Sequence, residues 1–107
     1  MDTLTRLEAT IDERRRAHPG ESYVAHLNHR GLPIMVRKFG EEAVETCVAA
    51  LSGSREELIL EAADSIFHLM VVLAAKGISL EEVMGELERR EGVSGHEEKA
   101  SRKPEEQ

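Results

Sequence analysis

An all-α fold, a bundle of about five helices, is predicted by three features of this 107-residue sequence. Aromatic residues make up only 3% of the chain, so the core must be aliphatic, which suits helices better than aromatic-rich strands. Apolar residues recur at helical spacing, and no segment alternates as a strand would. Ser-x-x-Glu capping boxes mark helix starts at Ser54 and Ser79.

The first two helices are short, and residues that start or stop helices mark their ends. Helix 1 is predicted from about Thr3 to His18, where Pro19-Gly20 stops it. Helix 2 is predicted from Ser22, a good N-cap, to about His29, and Gly31 ends it.

Three further helices follow. Helix 3 is predicted from about Pro33 to Leu51, because proline suits a first helical turn. A turn at Ser52-Gly53 leads into helix 4, from about Arg55 to Lys76, which Gly77 closes. Helix 5 is predicted from Ser79 to about Arg90.

The domain organisation is simple. Residues 1–92 are predicted to form one helical domain, whose small size leaves a thin margin of stability that a partner subunit would improve. Residues 93–107 are rich in Glu, Lys and Ser and nearly free of apolar residues, which predicts a disordered, charged tail.

Composition excludes several classes of protein. The net charge of −7 argues against a nucleic-acid partner, and it means that a phosphorylated ligand needs a local basic patch or a bound cation. Cys47, the sole cysteine, cannot form an internal disulfide and is predicted to pack in the core. The longest apolar run, Leu69 to Ala75, is too short to span a membrane. We therefore expect a soluble, cytoplasmic protein with no membrane partner.

One face of helix 3 is acidic. Glu41, Glu42 and Glu45 share a wedge with Lys38 beside a broad apolar face. Taken alone, this pattern describes an ordinary amphipathic helix with a solvated acidic face and a Lys38–Glu42 pair.

Helix 4 changes that interpretation. Glu61, Asp64 and His68 share one face of a helix that is apolar nearly all round after Glu61, and such a helix is expected to be buried. Carboxylates on a buried helix cost free energy unless a cation or good hydrogen bonds compensate them.

The two acidic faces should meet. Helices 3 and 4 are joined by a short turn and should form an antiparallel hairpin. Equal distances from the turn then place Glu45 opposite Glu61, and Glu42 opposite Asp64. Carboxylate oxygens in one cluster suit Mg²⁺, or Mn²⁺ in its place, and argue against Zn²⁺.

The acidic residues also carry a resemblance. The segments Lys38–Glu45 and Glu61–Asp64 resemble the EExxE…ExxD pattern of the all-alpha nucleoside triphosphate pyrophosphatases, the MazG-like superfamily. The flanking blocks resemble its phosphoribosyl-ATP pyrophosphatase family, of histidine biosynthesis, over nearly all of residues 3–92. Those blocks are Ser22-Tyr23, Gly31-Leu32, Arg55–Asp64, Phe67–Leu69, Gly77–Val83 and Leu87–Arg90.

The resemblance implies a MazG-like fold completed by homodimerisation, and Mg²⁺-dependent hydrolysis of phosphoribosyl-ATP to phosphoribosyl-AMP and pyrophosphate, the second step of that pathway. The metal ligands that it implies are Glu42, Glu45, Glu61 and Asp64. It makes Glu41 a weaker candidate, for a second metal or for orienting water. Glu41, Glu42 and Glu45 are the candidate catalytic residues. It gives Lys38 and Arg37 a phosphate-binding role.

Other candidates rest on the residues alone. Tyr23, the only tyrosine, is a candidate substrate-binding residue because it could stack on a base. His68 faces the acids, which leaves both a structural and a functional role open. His26 and His29 are expected to be surface histidines, and the Arg14–Arg16 run a solvated helix end.

Two alternative functions stay open. A house-cleaning nucleoside triphosphate pyrophosphatase of the same superfamily would use the same acids. A non-catalytic helical dimer, an interaction protein, would leave them merely solvated.

Overall fold

The computed structural model describes residues 2–102, which form six helices and no strand. The predicted all-α class is confirmed, and the first five helices correspond to the five predicted. They are α1 Thr3–Arg14, α2 Tyr23–Arg30, α3 Leu32–Ser52, α4 Arg55–Ala75, α5 Leu80–Arg89 and α6 Gly95–Ser101.

An antiparallel hairpin of α3 and α4, each 21 residues long, is the frame of the molecule. Gly31 precedes α3 with a φ of 100°, a backbone conformation that favours glycine, and Pro33 follows in the first turn. The Ser54 hydroxyl caps α4 by accepting a hydrogen bond from the Glu57 amide at 3.1 Å. These local signals fix the short connection that brings the two long helices together.

The core lies at the end of the hairpin farthest from the Ser52-Gly53 turn, where α1 and α2 pack against α3 and α4. We call this region the core end. Its buried side chains are aliphatic, as the composition predicts, and Leu27 is only 1% exposed. The members of this cluster are Ile11, Val24, Leu27, Met35, Met70 and Val71.

The other half of the hairpin, the turn end, is uncovered. Apolar side chains stand exposed on both of its helices: Val44, Val48, Leu51, Ile59 and Leu60. The expectation that helix 4 is buried nearly all round is therefore wrong for a single chain. Cys47 is also exposed and not in the core, because α1 and α2 are too short to cover this half of the hairpin.

The end of α1 differs from the sequence prediction, and the start of α5 has a contact in addition to the predicted one. Helix α1 ends at Arg14 and not at His18, since a turn follows in which the His18 ring accepts a hydrogen bond from the Gly20 amide at 3.0 Å. The capping box of Ser79 and Glu82 is present, and a carboxylate oxygen of Glu8 also accepts from the Leu80 amide at 2.6 Å. This last contact ties the start of α5 to α1.

The prediction of a disordered tail after residue 92 is corrected over the residues that the structure describes. A disordered tail was predicted from residue 93, yet Gly95–Ser101 is helical as α6. Ser94 and Glu97 form a capping box. The buried Glu98 is paired with Arg89 at 2.8 Å and with Arg102 at 3.4 Å. Counting apolar residues missed this helix because caps and ion pairs hold it. Residues 103–107 lie outside the described part, and the domain boundary at 92 stays a prediction.

Helix α4 also corrects the argument about membrane spans. Its 21 residues include a window of mean hydropathy 1.9, long and apolar enough by that measure to cross a membrane, although the longest uninterrupted apolar run is short. One such helix is weak support for a membrane span, since core helices of soluble proteins meet the same criterion. The window of α4 that follows its first turn also carries the acids of the candidate site.

Candidate metal centre

The α3–α4 hairpin brings three predicted site residues together. Glu42 and Glu45 on α3 and Glu61 on α4 each offer a carboxylate oxygen, and these oxygens lie within 4.8 Å of one another. The register that equal distances from the turn predict is thus present for Glu45 and Glu61. Their function as ligands stays a prediction that this geometry favours.

The electrostatics of the three acids are unfavourable without a counter-charge. Hydrogen bonding to Glu42, and next to Glu45, raises the pKa of Glu61 from an ordinary 4.5 to about 7, with burial adding to the effect. Burial raises the pKa of Glu42, and the charges of Glu45 and Asp64 act in the same direction. The Glu61 carboxyl is therefore partly protonated near neutral pH in the absence of a cation.

A divalent cation fits these residues. One carboxylate oxygen of Glu42 and one of Glu61 (Oε2 in both cases) are buried with no hydrogen-bond partner, and such atoms are rare in native proteins. A cation among the three acids would satisfy both atoms and remove the repulsion. Oxygen ligands from carboxylates suit Mg²⁺ or Mn²⁺.

Asp64 stands at the margin of the cluster. It lies on α4 one turn after Glu61 and is exposed, and it is not among the three residues whose oxygens converge. Its charge still raises the pKa of Glu42, so the two groups are within electrostatic reach. A metal-ligand role for Asp64 stays a prediction.

The basic candidates pair with Glu41 and not with Glu42. The Arg37 guanidinium is 3.4 Å and the Lys38 ammonium 3.6 Å from the Glu41 carboxylate. Glu41 is exposed and lies outside the group of three converging acids, beside the two cations. The site thus has an acidic part and an adjacent basic part along α3.

A hydroxyl pair that the sequence analysis did not single out stabilises the register of the hairpin. The Thr46 Oγ1 lies 2.8 Å from the Glu42 carbonyl oxygen and 3.0 Å from the Glu61 carbonyl oxygen, and it is 2.8 Å from the Ser65 Oγ. One side chain therefore contacts the backbone of a proposed ligand on each helix. Only the paired structure reveals this, since Thr and Ser in helices usually bond within their own helix.

Tyr23 lies beside His68, which is 45 residues away in the sequence. The Tyr23 hydroxyl is 3.1 Å from Nε2 of His68, and Nδ1 of His68 is 2.8 Å from the Asp64 carbonyl oxygen. His68 is buried. The Tyr23 and Phe67 rings are stacked, with their centroids 6.1 Å apart. His26 and His29 are exposed, as expected.

Comparisons with known proteins cover almost the whole chain. The family model described as phosphoribosyl-ATP pyrophosphohydrolase matches residues 4–91. A protein named phosphoribosyl-ATP pyrophosphatase from Erythrobacter litoralis is 63% identical over 95% of this chain and 98% of its own length. Proteins of the same name from Novosphingobium aromaticivorans and Zymomonas mobilis subsp. mobilis are 59% and 56% identical, each over 94% of both chains.

Proposed function

We propose that this chain, which belongs to the phosphoribosyl-ATP pyrophosphohydrolase family, hydrolyses phosphoribosyl-ATP to phosphoribosyl-AMP and pyrophosphate, the second step of histidine biosynthesis. Water adds to a phosphorus atom, the bond between the α and β phosphates breaks, and pyrophosphate leaves. The observation that carries the proposal is the convergence of carboxylate oxygens of Glu42, Glu45 and Glu61 within 4.8 Å, in a chain that covers 98% of the length of the Erythrobacter litoralis relative.

In this proposal Glu42, Glu45, Glu61 and Asp64 hold Mg²⁺, with Mn²⁺ as a substitute. The bound cation would supply Lewis-acid stabilisation of charge on the phosphate chain. The orphaned oxygens of Glu42 and Glu61 support this ligand set, and Asp64 would complete it by a small change of its exposed side chain.

The phosphates would be bound by Arg37 and Lys38, and the water would be oriented by Glu41. Arg37 and Lys38 are exposed or half-buried and already face an anionic group, so a phosphate can replace Glu41 as their partner. Glu41, once released, could orient water or hold a second cation. Glu42 and Glu45 would act with Glu41 as catalytic residues, and Tyr23 would contact the substrate.

The active form is proposed to be a homodimer whose subunits meet at the turn end. The radius of gyration is 16.0 Å, against about 13 Å for a compact chain of this length. The accessible surface is 7739 Å², against about 5,900 Å² for a compact monomer of this mass. Val44, Val48 and Leu51 contribute exposed apolar surface at the turn end, and a second copy of the hairpin offers a matching apolar face.

The dimer can be tested by its oligomeric state. Val48→Glu would place a charge in the apolar face and should convert the dimer to monomer in sedimentation velocity. Leu87→Glu, at an exposed apolar residue on α5, is the matched control and should leave the dimer intact. A wild-type chain that sediments as a monomer at micromolar concentration would contradict this part of the proposal.

A cytoplasmic location completes the proposal, because the substrate is a soluble nucleotide. The α4 helix, although apolar enough to raise the question of a membrane, would then be covered within the dimer. Fractionation of cells that express the full chain should recover it in the soluble fraction.

The catalytic test compares substrates. Purified protein with Mg²⁺ should release pyrophosphate from phosphoribosyl-ATP faster than from any member of a panel of deoxynucleoside triphosphates. Better turnover of a deoxynucleotide would favour the house-cleaning alternative. Isothermal titration with Mg²⁺ distinguishes the proposed enzyme from the non-catalytic helical dimer. Glu61→Gln and Asp64→Asn should each weaken Mg²⁺ binding, whereas the exposed control Glu88→Gln should not.

A further inference from the structure

Three rings form a unit beside the acidic cluster. The Tyr23 and Phe67 rings are nearly parallel, at 20°, while the His68 ring stands edge-on to both. His68 is 6% exposed, whereas Tyr23 is 49% exposed. A buried histidine thus holds an aromatic ring that remains accessible to a ligand.

The hydrogen bonds fix the direction of this contact. The Asp64 carbonyl oxygen can only accept, so the Nδ1 atom of His68, at 2.8 Å from it, must donate. In the neutral imidazole Nε2 is then the acceptor, and the Tyr23 hydroxyl donates to it at 3.1 Å. The chain Tyr23–His68–Asp64 therefore ties α2 to the turn of α4 that carries the acids.

The position of the unit along α4 suits a nucleotide. His68 lies on the same face of α4 as Glu61 and Asp64, about 6 Å along the helix from Asp64 and about 10 Å from Glu61. A nucleotide whose phosphates lie at the acids would extend its sugar and base along the hairpin, either toward the Ser52-Gly53 turn or toward His68. The Tyr23 ring, 49% exposed, contacts His68 and is the most exposed ring of the three.

We propose that His68 is a positioning residue that holds the Tyr23 ring as a stacking platform for a nucleobase of the substrate. The inference rests on the proposed function for the presence of a nucleotide at the acids. Stacking on an aromatic side chain contributes to binding affinity, and it can involve the π face of any base. The platform therefore adds affinity without selecting one base. The hydroxyl, occupied by His68, sets the orientation of the ring.

Kinetics of three variants test the positioning role. Tyr23→Phe and His68→Phe remove the same hydrogen bond and should each raise KM for phosphoribosyl-ATP about 3-fold to 10-fold with kcat changed less than about 2-fold. The double variant should be no worse than either single one, because residues that share one contact are not additive. Tyr23→Ala removes the platform and should raise KM by about 5-fold to 150-fold.

A merely structural role would give a different pattern. It predicts a lower Tm for His68→Phe with KM unchanged in the folded fraction, and independent, additive effects of the two substitutions. Tyr23→Phe keeps the ring and the fold at a half-exposed position, so it remains informative if His68→Phe does not fold. An unchanged KM in Tyr23→Phe and Tyr23→Ala would overturn the proposal.

Fluorescence offers a readout that does not depend on turnover. Tyr23 is the only tyrosine and the chain has no tryptophan, so tyrosine emission reports on this ring alone. With Mg²⁺ present, AMP should quench that emission after correction for its absorption, whereas ribose 5-phosphate, which lacks a base, should not. His68→Phe should weaken the AMP response several-fold.

The two proposals can fail separately. Turnover of phosphoribosyl-ATP with no AMP-specific quenching would overturn the platform and leave the proposed function standing. AMP-specific quenching in a protein that hydrolyses no nucleotide would support the platform and overturn the proposed function.

Discussion

The two ends of the α3–α4 hairpin are built for opposite purposes. At the core end, α1 and α2 bury an aliphatic cluster around Ile11 and Leu27, each 1% exposed. At the turn end the same two helices expose apolar side chains and hold three mutually repelling acids, two of them with unpaired buried oxygens. The core end buries its central aliphatic cluster within one chain, whereas the turn end carries the residues to which we assign the proposed cation and the proposed second subunit.

The buried core and the acids of the proposed site thus occupy different ends of one pair of helices. Burial of apolar surface at the core end provides the driving force for folding. The three clustered acids at the turn end oppose folding when all of them are ionised, as is common for sites that are selected for binding or catalysis. Substitutions at the two ends should therefore have different consequences.

The largest expected effect is at the core end. Leu27→Ala should lower the free energy of unfolding by about 2–5 kcal/mol, because it leaves a cavity in a fully buried cluster. Leu51→Ala, at a side chain 89% exposed in the single chain, is the comparison. The effect of Leu51→Ala on the apparent free energy of unfolding should depend on protein concentration, since this substitution acts on association and not on the fold of one chain. Urea denaturation at several protein concentrations measures both, and equal, concentration-independent losses would refute the contrast.

The next effect is on catalysis. Glu61→Gln should reduce kcat/KM by about 100-fold or more, since loss of this proposed ligand would weaken both the binding of the cation and its orientation. In the absence of Mg²⁺ the same variant should be at least as stable as the wild type, because one of three clustered carboxylates has become neutral. Steady-state kinetics and thermal melts with EDTA provide the two measurements. A variant that loses stability along with activity would show that the acids also support the fold.

A smaller effect is expected at the hydroxyl that joins the two helices. Thr46→Val keeps the shape and removes the contacts with the carbonyls of Glu42 and Glu61 and with Ser65. We expect a loss of about 1 kcal/mol in unfolding free energy and a weaker, several-fold reduced affinity for Mg²⁺. Thr46→Ser retains the hydroxyl and is the matched control. If titration calorimetry finds the Mg²⁺ affinity of Thr46→Val unchanged, the register of the hairpin does not depend on this contact.

The smallest effect is a pH dependence of the metal-free protein. Because the pKa of Glu61 is raised to about 7 in the fold, its proton stabilises the folded state fully below the ordinary value of 4.5, and this contribution is lost as pH rises through about 7. Thermal melts with EDTA should therefore show falling Tm between pH 5 and pH 7.

Three comparisons sharpen this pH test. Saturating Mg²⁺ should flatten the profile, and so should Glu61→Gln. Glu86, whose pKa Arg89 and Arg90 lower to about 2, contributes stability that is lost only below pH 4.5 and lies outside the window. A metal-free Tm that rises steadily across that window would contradict the assigned direction.

The sequence alone determined the class of the fold, the hairpin and the site's acidic character. Capping boxes, Gly31, Pro33 and the Ser52-Gly53 turn are local signals, so the helices and their connection could be read from nearby residues. Helical spacing then placed Glu42, Glu45 and Glu61 on facing sides of two helices of known order. The membership of the family agrees with that reading.

The features that depend on residues far apart in the sequence become visible only when the helices are packed. The tertiary structure paired Glu41 with Arg37 and Lys38, brought Tyr23 to His68, and showed that Cys47 is exposed. It also revealed α6, which ion pairs of Glu98 hold where apolar content predicted disorder. The physical reason is that periodicity and caps depend on neighbours in the chain, whereas burial and side-chain pairing depend on which helices reach which part of the hairpin.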